Sequence, residues 1–156
     1  MEITMLNDSL AYNTHMTLTR HFKAQTNIIT KLKKQLRDPV VDLSCGTGHL
    51  LSQLKIFQLN DLIGIDNNKN MVAFARKQTQ LNIVQQNLFD LNLTPYNTLI
   101  CANTLFYVDS KSFFKKCNKE LNKNAKLIIM EENPFIIPQG KFNYTQETLD
   151  LMNIMS

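Results

Sequence analysis

The sequence predicts an α/β fold built on a mostly parallel sheet. Three observations predict it. Short apolar runs alternate with helical patterns after Pro39, a loop containing Gly46 and Gly48 follows the first of those runs, and polar residues recur where the runs end. Right-handed crossovers place every loop that follows a strand on one edge of such a sheet, and ligands bind along that edge where the strand order reverses.

Residues 8–36 read as helical, with Leu18, Phe22, Ile28, Ile29, Leu32 and Leu36 sharing one broad face and Pro39 closing the segment. Val40 to Leu43 is the first strand. His49 to Phe57 is a helix with Leu50, Leu51 and Leu54 inward. Leu62 to Ile65 is the second strand, ended by Asp66, and Asn67 caps a helix carrying Met71, Val72, Phe74 and Ala75. Leu81 to Gln85 is the third strand. Thr98 to Ala102 is the fourth, an apolar run of the kind buried on both faces. Asp109 or Ser110 caps a helix carrying Phe113, Phe114, Cys117 and Leu121. Leu127 to Met130 is the fifth strand, ending at Glu131-Glu132-Asn133-Pro134. The ligand-bearing edge therefore collects Ser44 to Gly48, Asp66, Asn87, Asn103 and Glu131-Glu132.

The 156 residues suit a single domain, with an N-terminal helical segment over 1–37, a core over 38–133 and a C-terminal loop and helix over 134–156. Apolar residues make up 44% of the chain, which excludes general disorder. No run approaches the ~18 apolar residues of a membrane span, and the first residues lack a secretory pattern, so a cytoplasmic protein is expected. Cys45, Cys101 and Cys117 form no CxxC pair and suggest neither a disulfide framework nor a metal site. They read as small buried residues. The net charge of +4 comes from scattered lysines without interleaved aromatics, a solvated surface rather than a nucleic-acid track.

The loop carries the chemistry. Gly46 and Gly48 flank Thr47 at a strand-to-helix turn, where glycine permits positive φ and brings bare backbone close to a ligand. The following helix points its free N–H groups at the same place. A dinucleotide loop needs GxGxxG, and Leu51 stands where the third glycine belongs. The phosphate loop GxxxxGK[ST] is absent, since Gly48 is followed by His49-Leu50. Instead Asp42 precedes the loop inside the strand. An acid there suits a ligand with a cationic amine and repels a pyrophosphate, which opposes a nucleotide-dependent oxidoreductase.

The segment Asp42-Leu43-Ser44-Cys45-Gly46-Thr47-Gly48 resembles the first motif of the class I S-adenosylmethionine-dependent methyltransferases, an acid followed by a GxGxG-like loop. Ser44 replaces the first glycine, which requires a backbone conformation there that does not demand glycine. Gly64-Ile65-Asp66 resembles the second motif, whose acid accepts hydrogen bonds from the ribose hydroxyls. Gln86-Asn87-Leu88 falls where the family places a polar side chain near the adenine amino group and a backbone N–H toward the ring. The segment from Tyr96 to Asn103 resembles the fourth-strand motif, in which residues around Ala102 and Asn103 line the methionine part. The resemblance runs from near Leu36 to Asn133. It implies a Rossmann-like three-layer sandwich of about five strands in the order 3-2-1-4-5. It also implies bound S-adenosyl-L-methionine, held by Asp42, Ser44, Cys45, Gly46, Gly48, Asp66, Asn67, Asn87, Leu88 and Asn103.

Methyl transfer asks the protein mainly for an in-line approach and a dry pocket. A general base is needed only where the acceptor loses its proton early. Tyr107, Asp109 and Glu131 are the candidates, each with a competing structural role as packing, helix cap or strand end. His15 and His21 lie on the N-terminal segment, which in this family often folds over the cofactor. Neither [DN]PP[YFW] nor a Pro-Cys dipeptide is present, which disfavours amino-adenine and cytosine-ring acceptors and leaves small molecules, proteins and other RNA sites open, a small molecule being the acceptor expected here. The family usually carries two further strands beside the fifth. Tyr144 to Met155 reads instead as a helix, so the sheet is expected to stop at five with those two strands missing. The fifth strand is then an edge open to a partner or a second copy. A catalytically silent cofactor-binding subunit is the alternative that this shortness raises.

Overall fold

The computed structural model describes residues 8–131. The chain opens with two helices, α1 (Ser9–Leu18) and α2 (His21–Leu32), followed by a 3-10 turn (Lys33–Gln35). It then alternates: β1 (Val40–Leu43), α3 (His49–Ile56), β2 (Leu62–Asp66), α4 (Lys69–Thr79), β3 (Asn82–Gln85), β4 (Thr98–Ala102), α5 (Ser110–Glu120) and β5 (Lys126–Met130). Short 3-10 turns at Leu88–Asp90 and Leu105–Tyr107 follow β3 and β4.

The five strands are all parallel, in the order β3-β2-β1-β4-β5. This is the expected order. β1 is central, with Val40 opposite Leu62 on one side and Thr98 on the other, and all four of its residues are buried. Strand alternation divides them. Val40 joins Ile29 of α2, Leu50, Leu51 and Leu54 of α3, and Val72 and Ala75 of α4 in one core. Val41 and Leu43 join Phe113, Phe114 and Cys117 of α5 in the other. Asp42 therefore projects toward the face covered by α2 and α3. The chain fills positions to one side of β1 and then crosses to β4, so the order reverses between β1 and β4, the place where such sheets bind ligands.

The N-terminal segment departs from a single broad helical face. Arg20 takes φ 66, a left-handed conformation that separates α1 from α2. The amides of Thr19 and Arg20 close the end of α1 onto the carbonyls of His15 and Thr17. The buried face of α2 is Phe22, Gln25 and Ile29, at i, i+3 and i+7. Ile28, one step around the helix from Ile29, is 42% exposed, and Leu18 is 78% exposed. One continuous stripe could not satisfy two helices that meet at a sharp turn. The cap of α4 is Asn68 rather than Asn67: its side-chain oxygen accepts from the amides of Asn70 and Met71. Asp109 occupies the cap position of α5. The expected helix from Tyr144 to Met155 lies outside the described residues.

Gly64 in the middle of β2 has a packing reason. A Cβ there would lie 2.5 Å from Leu51 Cδ1 and 2.9 Å from both Cys45 Sγ and Ile83 Cδ1. The missing side chain lets α3, the loop after β1 and β3 meet over the strand. Gly64→Ala is expected to overpack this junction and cost about 1–3 kcal/mol, measured as a fall in the free energy of chemical unfolding.

Candidate functional site

The loop after β1 folds by a sequence of left-handed residues. Ser44, Gly46 and Gly48 take φ of 58, 54 and 81. The expectation that Ser44 avoids glycine-like geometry is thus corrected: the position has left-handed backbone and serine tolerates it. The chain must reverse from strand into α3 within a few residues while the Cys45 amide still donates to the Ile65 carbonyl at 2.8 Å. That tether leaves Ser44 no extended alternative. At Gly48 glycine is required twice over, by φ and because a Cβ would lie 2.7 Å from Thr79 Cγ2 and 3.2 Å from Ala75 Cβ.

Asp66, at the carboxyl end of β2, fastens this loop. One carboxylate oxygen accepts the Gly46 N–H at 2.9 Å and the other accepts the Asn68 N–H at 2.8 Å. From the other direction the Thr47 hydroxyl donates to Asn13 Oδ1 of α1 at 2.9 Å. The loop is held between a strand end and the N-terminal helix.

A cavity of about 450 Å³ lies along the strand ends. Of the residues expected from sequence, Ser44, Gly46, Asp66, Asn67, Asn87, Leu88 and Asn103 line it, together with Tyr107 and Asp109. Asn87 has its side-chain oxygen engaged by the Phe89 N–H at 2.9 Å. Its side chain retains an N–H₂ donor, and the oxygen keeps a second lone pair. Asn103 takes φ 51 and donates its N–H to the Met130 carbonyl, which pins the end of β4 to β5.

Asp42, Cys45, Gly48 and Glu131 do not line this cavity. Asp42 and Cys45 border a second, much smaller chamber behind the loop. Glu131 is turned to the backbone: Oε1 accepts the N–H groups of Thr104 and Leu105 at 2.8 and 3.0 Å, fixing the turn after β4. Asp109 accepts a hydrogen bond from the Ser112 hydroxyl, which with neighbouring donors holds its carboxyl below the usual range. Tyr107 is 69% exposed at the rim. His15 and His21 stack on one another and do not line the cavity.

Sequence reasoning missed Tyr12. Its ring passes over Gly46, where a Cβ would meet Tyr12 Cε1 at 3.7 Å, and it lines both cavities. The signal was present: Tyr12 is one turn before Met16, the buried residue of α1, and an aromatic at that spacing marks the inward face.

Asp42, Asp66 and Asp109 border these spaces, and no lysine or arginine lines either of them. Burial, reinforced by the nearby charge of Asp66, pushes the Asp42 carboxyl up to about 8. Burial also raises Asp66, against the lowering effect of its two amide donors. Burial lowers His49, whose ring stacks on Phe22 at 4.0 Å with Nε2 3.1 Å from the Phe22 carbonyl. Burial raises the Cys45 thiol.

Between the unfolded value of 3.8 and about 8 the folded chain keeps a proton on Asp42 that the unfolded chain has lost. The stability this residue contributes is full below the unfolded value and is lost as pH rises through the folded one. Asp42→Asn removes that dependence. Its melting temperature is expected to gain on the native chain by several degrees at about pH 8 and by little at about pH 4. His49 has the opposite sign but is common to both proteins. At the strained position, Ser44→Gly is expected to be about 1 kcal/mol more stable than Ser44→Ala, read from paired denaturant melts.

Comparison with known proteins agrees with this geometry. No curated protein sequence matches the chain. Among solved structures, a S-adenosylmethionine-dependent methyltransferase from Clostridium acetobutylicum ATCC 824 is 21% identical with a TM-score of 0.66, over 86% of this chain and 64% of that one. The plantazolicin methyltransferase BpumL in complex with SAH is 19% identical with a TM-score of 0.63, over 90% of this chain and 58% of that one. Magnesium protoporphyrin IX methyltransferase from Synechocystis PCC 6803 with bound SAM is 15% identical with a TM-score of 0.66, over 92% and 71%. These likenesses establish the fold, and the chain spans less than two thirds of the length of the first two. The family described as methyltransferase domain matches residues 21–153. That match covers most of the sequence and includes every strand of the sheet, and the chain belongs to this methyltransferase domain family.

Proposed function

We propose that this chain binds S-adenosyl-L-methionine in the cavity along the strand ends and directs its methyl group to a small-molecule acceptor. The observation that carries the reading is Asp66. A buried carboxylate at the end of β2, braced by the Gly46 and Asn68 amides, lines a cavity at the point where strand order reverses. The residues fit the ligand. The cavity has the volume of a typical cofactor site. Asp66 has acceptor capacity beyond its two amide donors for a ribose hydroxyl pair. Asn87 and Leu88 lie at the adenine end, and Ala102 and Asn103 lie toward the methionine end. The bound sulfonium supplies an activated methyl group.

What remains for the protein is positioning and exclusion of water. Tyr12 and the loop cover one side, and Tyr107, Val108 and Asp109 border the other, where an acceptor enters. Asp109 is a weak base because its carboxyl is held low, and Glu131 is committed to the Thr104 and Leu105 amides. This arrangement suits an acceptor atom that is nucleophilic without early proton removal. The names of the plantazolicin and magnesium protoporphyrin IX methyltransferases support a small-molecule acceptor. Among the described residues no helix is long and apolar enough to cross a membrane, and the free cysteines are buried. A cytoplasmic setting fits both and belongs to the same proposal, as does pairing through the β5 edge.

Calorimetric titration with S-adenosylmethionine and with its demethylated product tests the reading, and absence of binding at about millimolar ligand, the weakest range for a specific site, overturns it. Asp66→Asn is expected to weaken both ligands about tenfold to a hundredfold, the worth of a hydrogen bond to a charged acceptor. Transfer of labelled methyl to an acceptor in a metabolite pool reads out the activity itself.

A further inference from the structure

A third cavity, of about 470 Å³, lies among α1, α2, α3 and α4. That volume is in the range of small-molecule sites. It shares no lining residue with the cavity along the strand ends. Phe22 of α2 and Phe74 of α4 give it aromatic surface, and Phe22 is fixed by stacking on His49 of α3 at 4.0 Å and 5° from parallel. The activity proposed above makes no use of this space.

Its polar lining is the reverse of the strand-end cavity's. No aspartate or glutamate lines it, and Lys23 brings a positive charge to its edge from an exposed position. Three of its hydroxyls are spent within the protein. Thr17 donates to the Asn13 carbonyl at 2.8 Å, Thr47 to Asn13 Oδ1 at 2.9 Å and Ser52 to the Gly48 carbonyl at 3.2 Å. His49 Nε2 is engaged by Thr26 Oγ1 at 2.9 Å and the Phe22 carbonyl at 3.1 Å, and burial disfavours the cationic ring. What is left to meet a ligand is mostly donors: the Lys23 ammonium and the N–H₂ groups of Asn13 and Gln78. The cavity therefore pairs aromatic surface with donors and one cation, the complement of an anion carried on a flat ring.

We propose that this cavity binds a planar aromatic carboxylate, and that its occupant strengthens cofactor binding. The ring packs against Phe22 and Phe74, and the carboxylate accepts from Lys23, Asn13 and Gln78. The link to the cofactor runs through α1, which is lightly held. Met16 is its buried residue, whereas Leu10 and Leu18 are 64% and 78% exposed. A ligand that joins Asn13 and Thr17 of α1 to Lys23 of α2 and Phe74 of α4 adds contacts to that helix. Tyr12, the neighbour of Asn13, walls the strand-end cavity over Gly46. Thr47, bonded to Asn13, follows Gly46 in the loop. Holding α1 therefore holds a wall of the other site, and two ligands that order one element favour each other reciprocally. Binding of the carboxylate stands on this cavity alone, and the link rests on the cofactor reading above.

The experiment is calorimetry on the full chain, with 2-naphthoate as the probe and 2-naphthamide as its uncharged counterpart. 2-Naphthoate is expected to bind with a dissociation constant below about 1 mM and about fivefold more tightly than the amide. Lys23→Gln, at an exposed position outside the cofactor cavity, removes that preference and leaves 2-naphthamide within about twofold. S-adenosylhomocysteine binds about fivefold more tightly when 2-naphthoate is saturating, and 2-naphthoate gains the same factor from S-adenosylhomocysteine. Absence of 2-naphthoate binding at about millimolar concentration overturns the proposal. A preference for the anion that survives Lys23→Gln overturns it as well. So does displacement of 2-naphthoate by S-adenosylhomocysteine, which puts the probe in the strand-end cavity, or an affinity of either ligand that ignores the other. If S-adenosylhomocysteine fails to bind the native chain while 2-naphthoate binds with its Lys23-dependent preference, the cofactor reading and the link fall and the carboxylate site stands.

Discussion

The bond from the Gly46 amide to the Asp66 carboxylate ties the loop after β1 to the end of β2. Much of the site depends on it. The loop has left-handed residues at Ser44, Gly46 and Gly48, and such a backbone keeps one shape only when its surroundings over-determine it. Asp66 supplies that determination from one side, and the Thr47 hydroxyl bonded to Asn13 supplies it from the other. The parallel register of β1 with β2 and β4 brings these anchors to one edge. The same carboxylate also receives the Asn68 amide, so the start of α4 is referenced to the loop.

Two acids in one cleft give the site its electrical character. Burial raises the cost of ionising both, and the charge of Asp66 adds to that cost at Asp42. Their environments still differ. Asp66 has two amide donors and a place on the cavity wall, whereas Asp42 sits behind the loop against α2. One keeps free acceptor capacity on the cavity wall, and the other keeps its proton behind the loop. The asymmetry follows from where β1 and β2 end relative to the sheet, not from the side chains, which are identical.

Much of the fold was legible because strand and helix periods are local signals. The five strands were each placed within a residue or so, since apolar runs such as Val40 to Leu43 carry their burial in composition. The N-terminal break at Arg20 was not legible. Nothing in Thr19-Arg20-His21 demands positive φ, and the turn accompanies the packing of α2, which stacks Phe22 on His49 and buries Ile29 in the core. Asn67 and Asn68 are both good caps by type, and only the backbone chose between them. In the site, Asp66, Asn87 and Asn103 were readable because strand ends converge in any such sheet. Tyr12 left only its spacing to Met16 as a signal, because it reaches the site from a helix whose approach to the loop is a tertiary matter. Ser44 was readable as a departure, but its left-handed backbone was not.

The position of Tyr12 over Gly46, with Asn13 beside it on Thr47, has a consequence for how the protein divides into parts. The alternating β and α units from Val40 onward look self-sufficient, and the first helices look like an appendage. Yet a wall of the binding space is drawn from that appendage. The smallest portable unit of this protein therefore begins before its first strand. A chimera joined at Pro39 would inherit the sheet and the loop but leave one flank of the ligand in open water.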